Sequence, residues 1–158
     1  MTKLERLEDI ACKRGINIHN FSISKTKKAG CYHEVDGNFE YKAILMDKPK
    51  IKGKTEETAL LAEEVGHFET NALYMIDATI NTPTARSNRQ KYEVQAKRWG
   101  VKYLVPKKQI QRAFDDGRIM DYEIAEFCDV DVDTFRKAME IYQQENVKFD
   151  YPHDEDVI

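Results

Sequence analysis

Residues 63–67 read Glu-Glu-Val-Gly-His, inside the stretch ALLAEEVGHFET at 59–70. On an α-helix, residues four apart share a face and lie roughly 6 Å apart along the axis. Glu63 and His67 therefore project together and can grip one cation. Glu64 sits about 100° round the helix from Glu63, where its carboxylate can reach a water held by that ion. The pattern differs only in its first residue from the zinc-peptidase helix motif His-Glu-x-x-His, in which two histidines bind zinc and the glutamate is the general base. Catalytic zinc takes three protein ligands and keeps one position open, so this helix must borrow a ligand. Within RQKYEVQAKRWGVKYLVP, Glu93 shares a helical stripe with Ala96 and Gly100. That is an acid on the small-residue, core-facing side of its helix, where a carboxylate needs a partner and a metal would supply one.

A set made of Glu63, His67 and Glu93 has one imidazole and two carboxylates. Zn²⁺ is the expected ion. The harder oxygen donors shift preference towards Mn²⁺ or another divalent metal, and two anionic ligands should leave the bound water less acidic. The competing reading is structural: a solvated acidic helix face, a half-buried His67, and a surface Glu93 paired with Lys97 four residues on. Other candidates have no geometry that fixes them. Tyr74, Asp77, His19, His33 and His153 could each approach a site, but His33 reads as a surface strand residue and His153 belongs to the tail. Cys31 would need a neighbouring base to act as a nucleophile, and reads instead as a small core or edge thiol. The basic runs KTKK at 25–28 and KPKIKGK at 48–54 suit solvated loops, or a surface that attracts an acidic partner.

The elements that must position these residues follow from periodicity and turn chemistry. Leu4, Leu7, Ile10 and Ala11 form one helical stripe ending at Gly15, a glycine suited to a helix C-terminus. INIHNFSIS alternates as a short strand. GCYHEVDGNFEYKAILMD predicts a hairpin turning at Asp36-Gly37, with ILMD as an apolar strand end. Thr55 to about Thr70 is helical, with Thr55 as N-cap, Glu56 and Glu57 in the first turn, and Leu60, Leu61, Glu64 (or Val65) and Phe68 as a face. NTPTARSN around Pro83 reads as a loop. A helix then runs from about Asn88 to Leu104 and stops at Pro106. Two or three short helices follow, and residues 145–158 read as a loose polar tail. The expectation is one α+β domain over 1–144.

The bulk numbers agree with a single globular domain. The chain has 158 residues, 41% hydrophobic and 34% charged, with a net charge of −3 that gives no global pull towards nucleic acid. Cys12, Cys31 and Cys128 are odd in number and form no CxxC pair, so neither a disulfide framework nor a thiolate zinc site is indicated. No apolar run approaches membrane-spanning length and the N-terminus lacks an apolar signal core, so a cytoplasmic protein is expected.

Taken together, LLAEEVGHFET at 60–70 and YEVQAKRWGVKYLVP at 92–106 resemble the ImmA/IrrE family of metallopeptidases. The family pairs a LAHELGHY-like helix with a qExxAxrfAxxLLvP helix some 20 to 30 residues later. The hairpin before the first helix and DYEIAEFCDVDVDTFRKAMEIY after the second also look like the family, so the likeness spans roughly residues 5 to 142. The resemblance implies a zincin-like domain with a small antiparallel sheet, an active-site helix and a helical C-terminal part. It implies Glu64 as general base, with His67 and Glu93 as metal ligands and Glu63 standing where the first zinc histidine would be. The implied role is a cytoplasmic endopeptidase of a bacterial host that cleaves a helix-turn-helix phage or mobile-element repressor. The alternative is a catalytically weak or inactive member that grips such a repressor without cutting it. Substrate is expected to add as a strand beside Ala43 to Asp47. Direct DNA binding through the tail is disfavoured, because Asp129, Asp131 and Asp133 would repel phosphate where a recognition helix should begin. A membrane partner is not expected.

Overall fold

A computed structural model of the chain describes residues 1–73 and 82–152. Tyr74, Asp77 and His153 lie outside the described residues. The described chain is α+β, with a three-stranded sheet and helices that form two compact units, Met1–Gly100 and Val101–Ile158.

In the first unit, α1 (Lys3–Lys13) opens on a capping box. The Glu5 N–H donates to Thr2 Oγ1, and the Glu5 carboxylate accepts from the Thr2 N–H. The chain leaves α1 through Gly15 at φ +68°, a left-handed conformation that costs glycine little. Leu7 and Ala11 are fully buried, as the stripe predicts.

Strands β1 (Ile16–Asn20), β2 (Ala29–Asp36) and β3 (Phe39–Met46) form a sheet of order β1-β3-β2. β2 and β3 are an antiparallel hairpin, but β1 runs parallel to β3, with Ile18 opposite Ile44 and Ile44 opposite Cys31. The sheet is thus mixed rather than antiparallel. The reason is the 21–28 connection, which crosses one end of the sheet. The Phe21 N–H donates to Met46 O, and the Asp47 N–H to Lys28 O. β1 ends and β2 begins at that same end, so a short loop reaches the far edge. The expected substrate strand, Ala43 to Asp47, falls on central β3, which already has a neighbour on each side. Among the described residues β1 and β2 are the edges.

The hairpin turns one residue later than expected. Asp36 pairs with Phe39, and Gly37 at φ +57° takes the first of the two loop positions, as a type II′ turn requires.

Helix α2 (Lys54–Glu69) packs on the sheet and on α1. Its N-cap is Gly53 rather than Thr55. Glu56 carries the capping interaction back to the chain, accepting the Lys52 N–H at 2.5 Å. Leu61, Ala62, Val65 and Gly66 are buried on one face of the helix.

Helix α3 (Pro83–Leu104) starts a turn earlier than its apolar pattern suggests, so residues 83–88 are helix and not loop. Thr82-Pro83 is the signal. Proline suits the first helical position, and Thr82 Oγ1 caps the Ala85 N–H at 3.1 Å.

In the second unit, α4 (Lys107–Asp115), α5 (Asp121–Phe127) and α6 (Val132–Gln144) bury Ile110, Phe114, Ile124, Phe135 and Ala138. Tyr142 donates to Val105 O at 2.9 Å. Beyond α6 the chain is held at least as far as Tyr151. The Phe149 ring meets Phe114 and Tyr142 edge-on, and Gln111 and Asp150 exchange hydrogen bonds. Two aromatics in an otherwise polar stretch account for the docking of this part of the expected loose tail. Among the described residues, no helix is long and apolar enough to cross a membrane.

Candidate metal centre

Helices α2 and α3 touch through their smallest residues. A Cβ on Gly66 would fall 2.5 Å from Ala96 O, and one on Gly100 would fall 3.0 Å from the Ala62 backbone. Both Ala62 and Ala96 are completely buried. Backbones this close hold the side chains just beyond the contact within reach of one another, and the facing residues are Glu63 and His67 on α2 and Glu93 and Lys97 on α3.

One ligand atom each from Glu63, His67 and Glu93 can be chosen so that all three lie within 4.8 Å of one another. His67 Nε2 stands 3.8 Å from Glu93 Oε2. Tetrahedral zinc with bonds of about 2.1 Å sets its donors roughly 3.4 Å apart, so the observed spacing closes on an ion by small side-chain rotations. The imidazole is only 2% exposed, and its Nδ1 stands 2.7 Å from Ala72 O. That backbone acceptor selects the Nδ1–H tautomer and leaves the Nε2 lone pair facing the carboxylates, the outer arrangement that metal-binding histidines commonly have. The donor set therefore fits a divalent cation. Lys97 answers the same charges in another way, its Nζ standing 3.8 Å from Glu63 Oε1. Lys97 thus reaches across from α3 to α2.

Glu64, the residue expected to act as base, is 7% exposed. Burial, reinforced by the charges of Glu63 and Glu93, pushes its carboxyl up to about 8. The nearby Lys27 charge and the neighbouring Cys31 thiol pull it back down. Cys31 thus has a carboxylate beside it, a partner the sequence did not reveal, since the two meet only across β2 and α2. Burial and then the charges of Glu64 and Glu93 push the thiol up to about 12, so it is a hydrogen-bond donor and not a nucleophile.

These groups line one cleft of about 500 Å³, whose far wall is Ile23, Thr26, Lys27 and Lys28 from the 21–28 loop, with Ala29, Gly30 and Cys31 of β2. The basic run KTKK therefore borders the centre. The other sequence candidates lie elsewhere. His19 pairs with the Tyr41 hydroxyl at 2.9 Å. The His33 side chain is 11% exposed, not a surface group, because it packs edge-on against Phe68 and pairs with Glu40 at 2.9 Å. Cys12 is exposed and Cys128 buried.

Comparisons with protein-family models, with curated proteins and with solved structures find no significant match.

Proposed function

We propose that the chain is a metal-dependent endopeptidase of zincin-like type, with a DNA-binding repressor of the helix-turn-helix class as its protein substrate in a bacterial cytoplasm. The observation that carries the reading is the aim of His67: a backbone carbonyl orients the imidazole so that Nε2 faces Glu93, with Glu63 in the same group. The motif resemblance supplies the substrate class and the compartment.

Glu63, His67 and Glu93 would hold the cation, Zn²⁺ first among candidates and Mn²⁺ next. When bound, such an ion polarises a carbonyl and acidifies water. Glu64 is the proton carrier. Its carboxylate takes a proton as water oxygen bonds to the scissile carbonyl carbon, and returns it to the amide nitrogen as the C–N bond breaks. Cys31 lines the same cleft beside that carboxylate. The substrate adds as a strand to β2, whose outer edge pairs with nothing else among the described residues and whose first residues line the cleft.

A second reading has its own support. Glu63 stands at the usual histidine position and leans towards Lys97, which suits a module that binds the repressor without cutting it. Purified protein with equimolar Zn²⁺, mixed with a co-expressed helix-turn-helix repressor, separates the two. Cleavage lost in Glu64→Gln supports the peptidase, whereas a stable complex with both chains intact supports the binder.

A further inference from the structure

Lys27 is a cation on the cleft wall whose charge reaches the Glu64 carboxyl without closing an ion pair with it. Its neighbour Lys28 also lines the cleft, but the Lys28 ammonium is tied to Glu56 at 2.5 Å. Among the described residues Lys27 takes part in no ion pair, and its side chain is exposed at the cleft mouth. The backbone on either side is anchored. The Lys27 N–H donates to Ser24 Oγ at 3.0 Å, and Lys28 O accepts the Asp47 N–H at 2.8 Å. The ammonium is therefore tethered to a fixed point while its own tip stays available.

The other ionisable groups around it make that availability selective. Glu63, Glu64 and Glu93 line the same cleft, and Glu34 and Asp36 are exposed further along β2. Acidic residues thus repel an acidic peptide almost everywhere along this path, and the net charge of −3 adds to the effect. Lys27 and Lys28 are the cations of that lining, and Glu56 holds Lys28. We propose that Lys27 is a specificity-determining residue, selecting peptide segments that place an aspartate or glutamate side chain beside the 21–28 loop when the backbone adds to β2. The proposal rests on the reading of the cleft as a peptide-binding site and deepens it by naming the substrate chemistry.

The test uses zinc-loaded protein carrying Glu64→Gln, so that bound peptide survives, and a fluorescein-labelled series of extended decapeptides. Members differ at one scanned position that holds Asp, Gln or Lys, and binding is read by fluorescence anisotropy. The expected result is one scanned position at which Asp binds up to about fivefold more tightly than Lys, the range of an exposed ion pair. Adding Lys27→Glu should invert that preference and Lys27→Gln should flatten it. Lys25→Glu, on the same loop but outside the cleft lining, should leave it unchanged. Binding without a favoured position, or a preference that survives Lys27→Glu, overturns the proposal. Failure to bind any peptide overturns it together with the reading beneath it. Parallel incubation of the wild-type protein with the same peptides keeps the two apart. Preference without cutting sinks only the peptidase, and cutting without preference sinks only the role of Lys27.

Discussion

A methyl group on Gly66 would lie 2.5 Å from the carbonyl oxygen of Ala96, closer than any Cβ can sit against backbone. Alanine normally gains about 1 kcal/mol over glycine inside a helix, but overpacking a tight contact costs about 1–3 kcal/mol. Gly66→Ala should therefore destabilise the protein by up to about 2 kcal/mol, measured by urea unfolding. Because α2 must back away from α3, it should also weaken Zn²⁺ binding by separating His67 from Glu93. Gly100→Ala, whose nearest backbone contact is 3.0 Å, should do the same more mildly. An unchanged metal affinity in Gly66→Ala would show that the helix crossing does not set the spacing of the ligands.

Removing a ligand should act more sharply than displacing one. His67→Ala and Glu93→Ala should each lower Zn²⁺ affinity at least 100-fold, since even outer-sphere changes cost 10–100-fold. Glu63→His should raise it by restoring the softer donor. Competitive titration against a zinc chelator measures all three. Equal affinities across the series would mean that the three side chains are an interhelical charge cluster and nothing more.

Glu64→Gln keeps shape and volume while removing the proton acceptor. Repressor cleavage should fall about 10²–10⁴-fold while the zinc stoichiometry stays at its wild-type value. Loss of metal together with activity would point to a ligand and not a base.

The raised Glu64 carboxyl has a pH signature in metal-free protein. Its folded value, about 8, exceeds its ordinary value of 4.5, so the folded state holds the proton more tightly. Stability is then greatest at and below the ordinary value, declines as pH rises between the two, and levels off above about 8. Chemical denaturation at pH 5 and pH 8 should show this loss, and Glu64→Gln should remove most of it. Zn²⁺ should also flatten the profile, because a nearby cation favours the charged carboxylate. An identical slope in Glu64→Gln would assign the effect to other groups.

Asp131 behaves in the opposite sense. Partial burial pushes its carboxyl up, but the Thr134 N–H and hydroxyl, each 2.8 Å away, outweigh that and hold it below the ordinary value. Its contribution is present above the ordinary carboxylate range and is lost as pH falls through the lowered value. As the side-chain cap of α6, its replacement in Asp131→Ala should cost about 1 kcal/mol, seen in thermal unfolding at neutral pH and reduced in acid.

The sequence by itself determined what depends on near neighbours along the chain. Glu63 and His67 share a face because four residues make about one turn, α1 ends at Gly15, and Pro106 ends α3. Even there, two helices start before the residues their apolar stripes indicate. Gly53 caps α2 with Glu56 reaching back, and Thr82-Pro83 begins α3 before any apolar stripe appears. Only the tertiary structure decided which strand lies in the middle of the sheet, because the same alternation of apolar and polar residues fits several strand orders. That choice gave β3 a neighbour on each side and left β2 as an edge beside the cleft. It also decided that Lys97 answers Glu63, and that Cys31 and Lys27 line one cleft with Glu64. The spacing of Glu93, Ala96 and Gly100 hinted at a core-facing acid. The distance from that acid to His67 came from two glycines that let separate helices approach, a relation no single stretch of sequence contains.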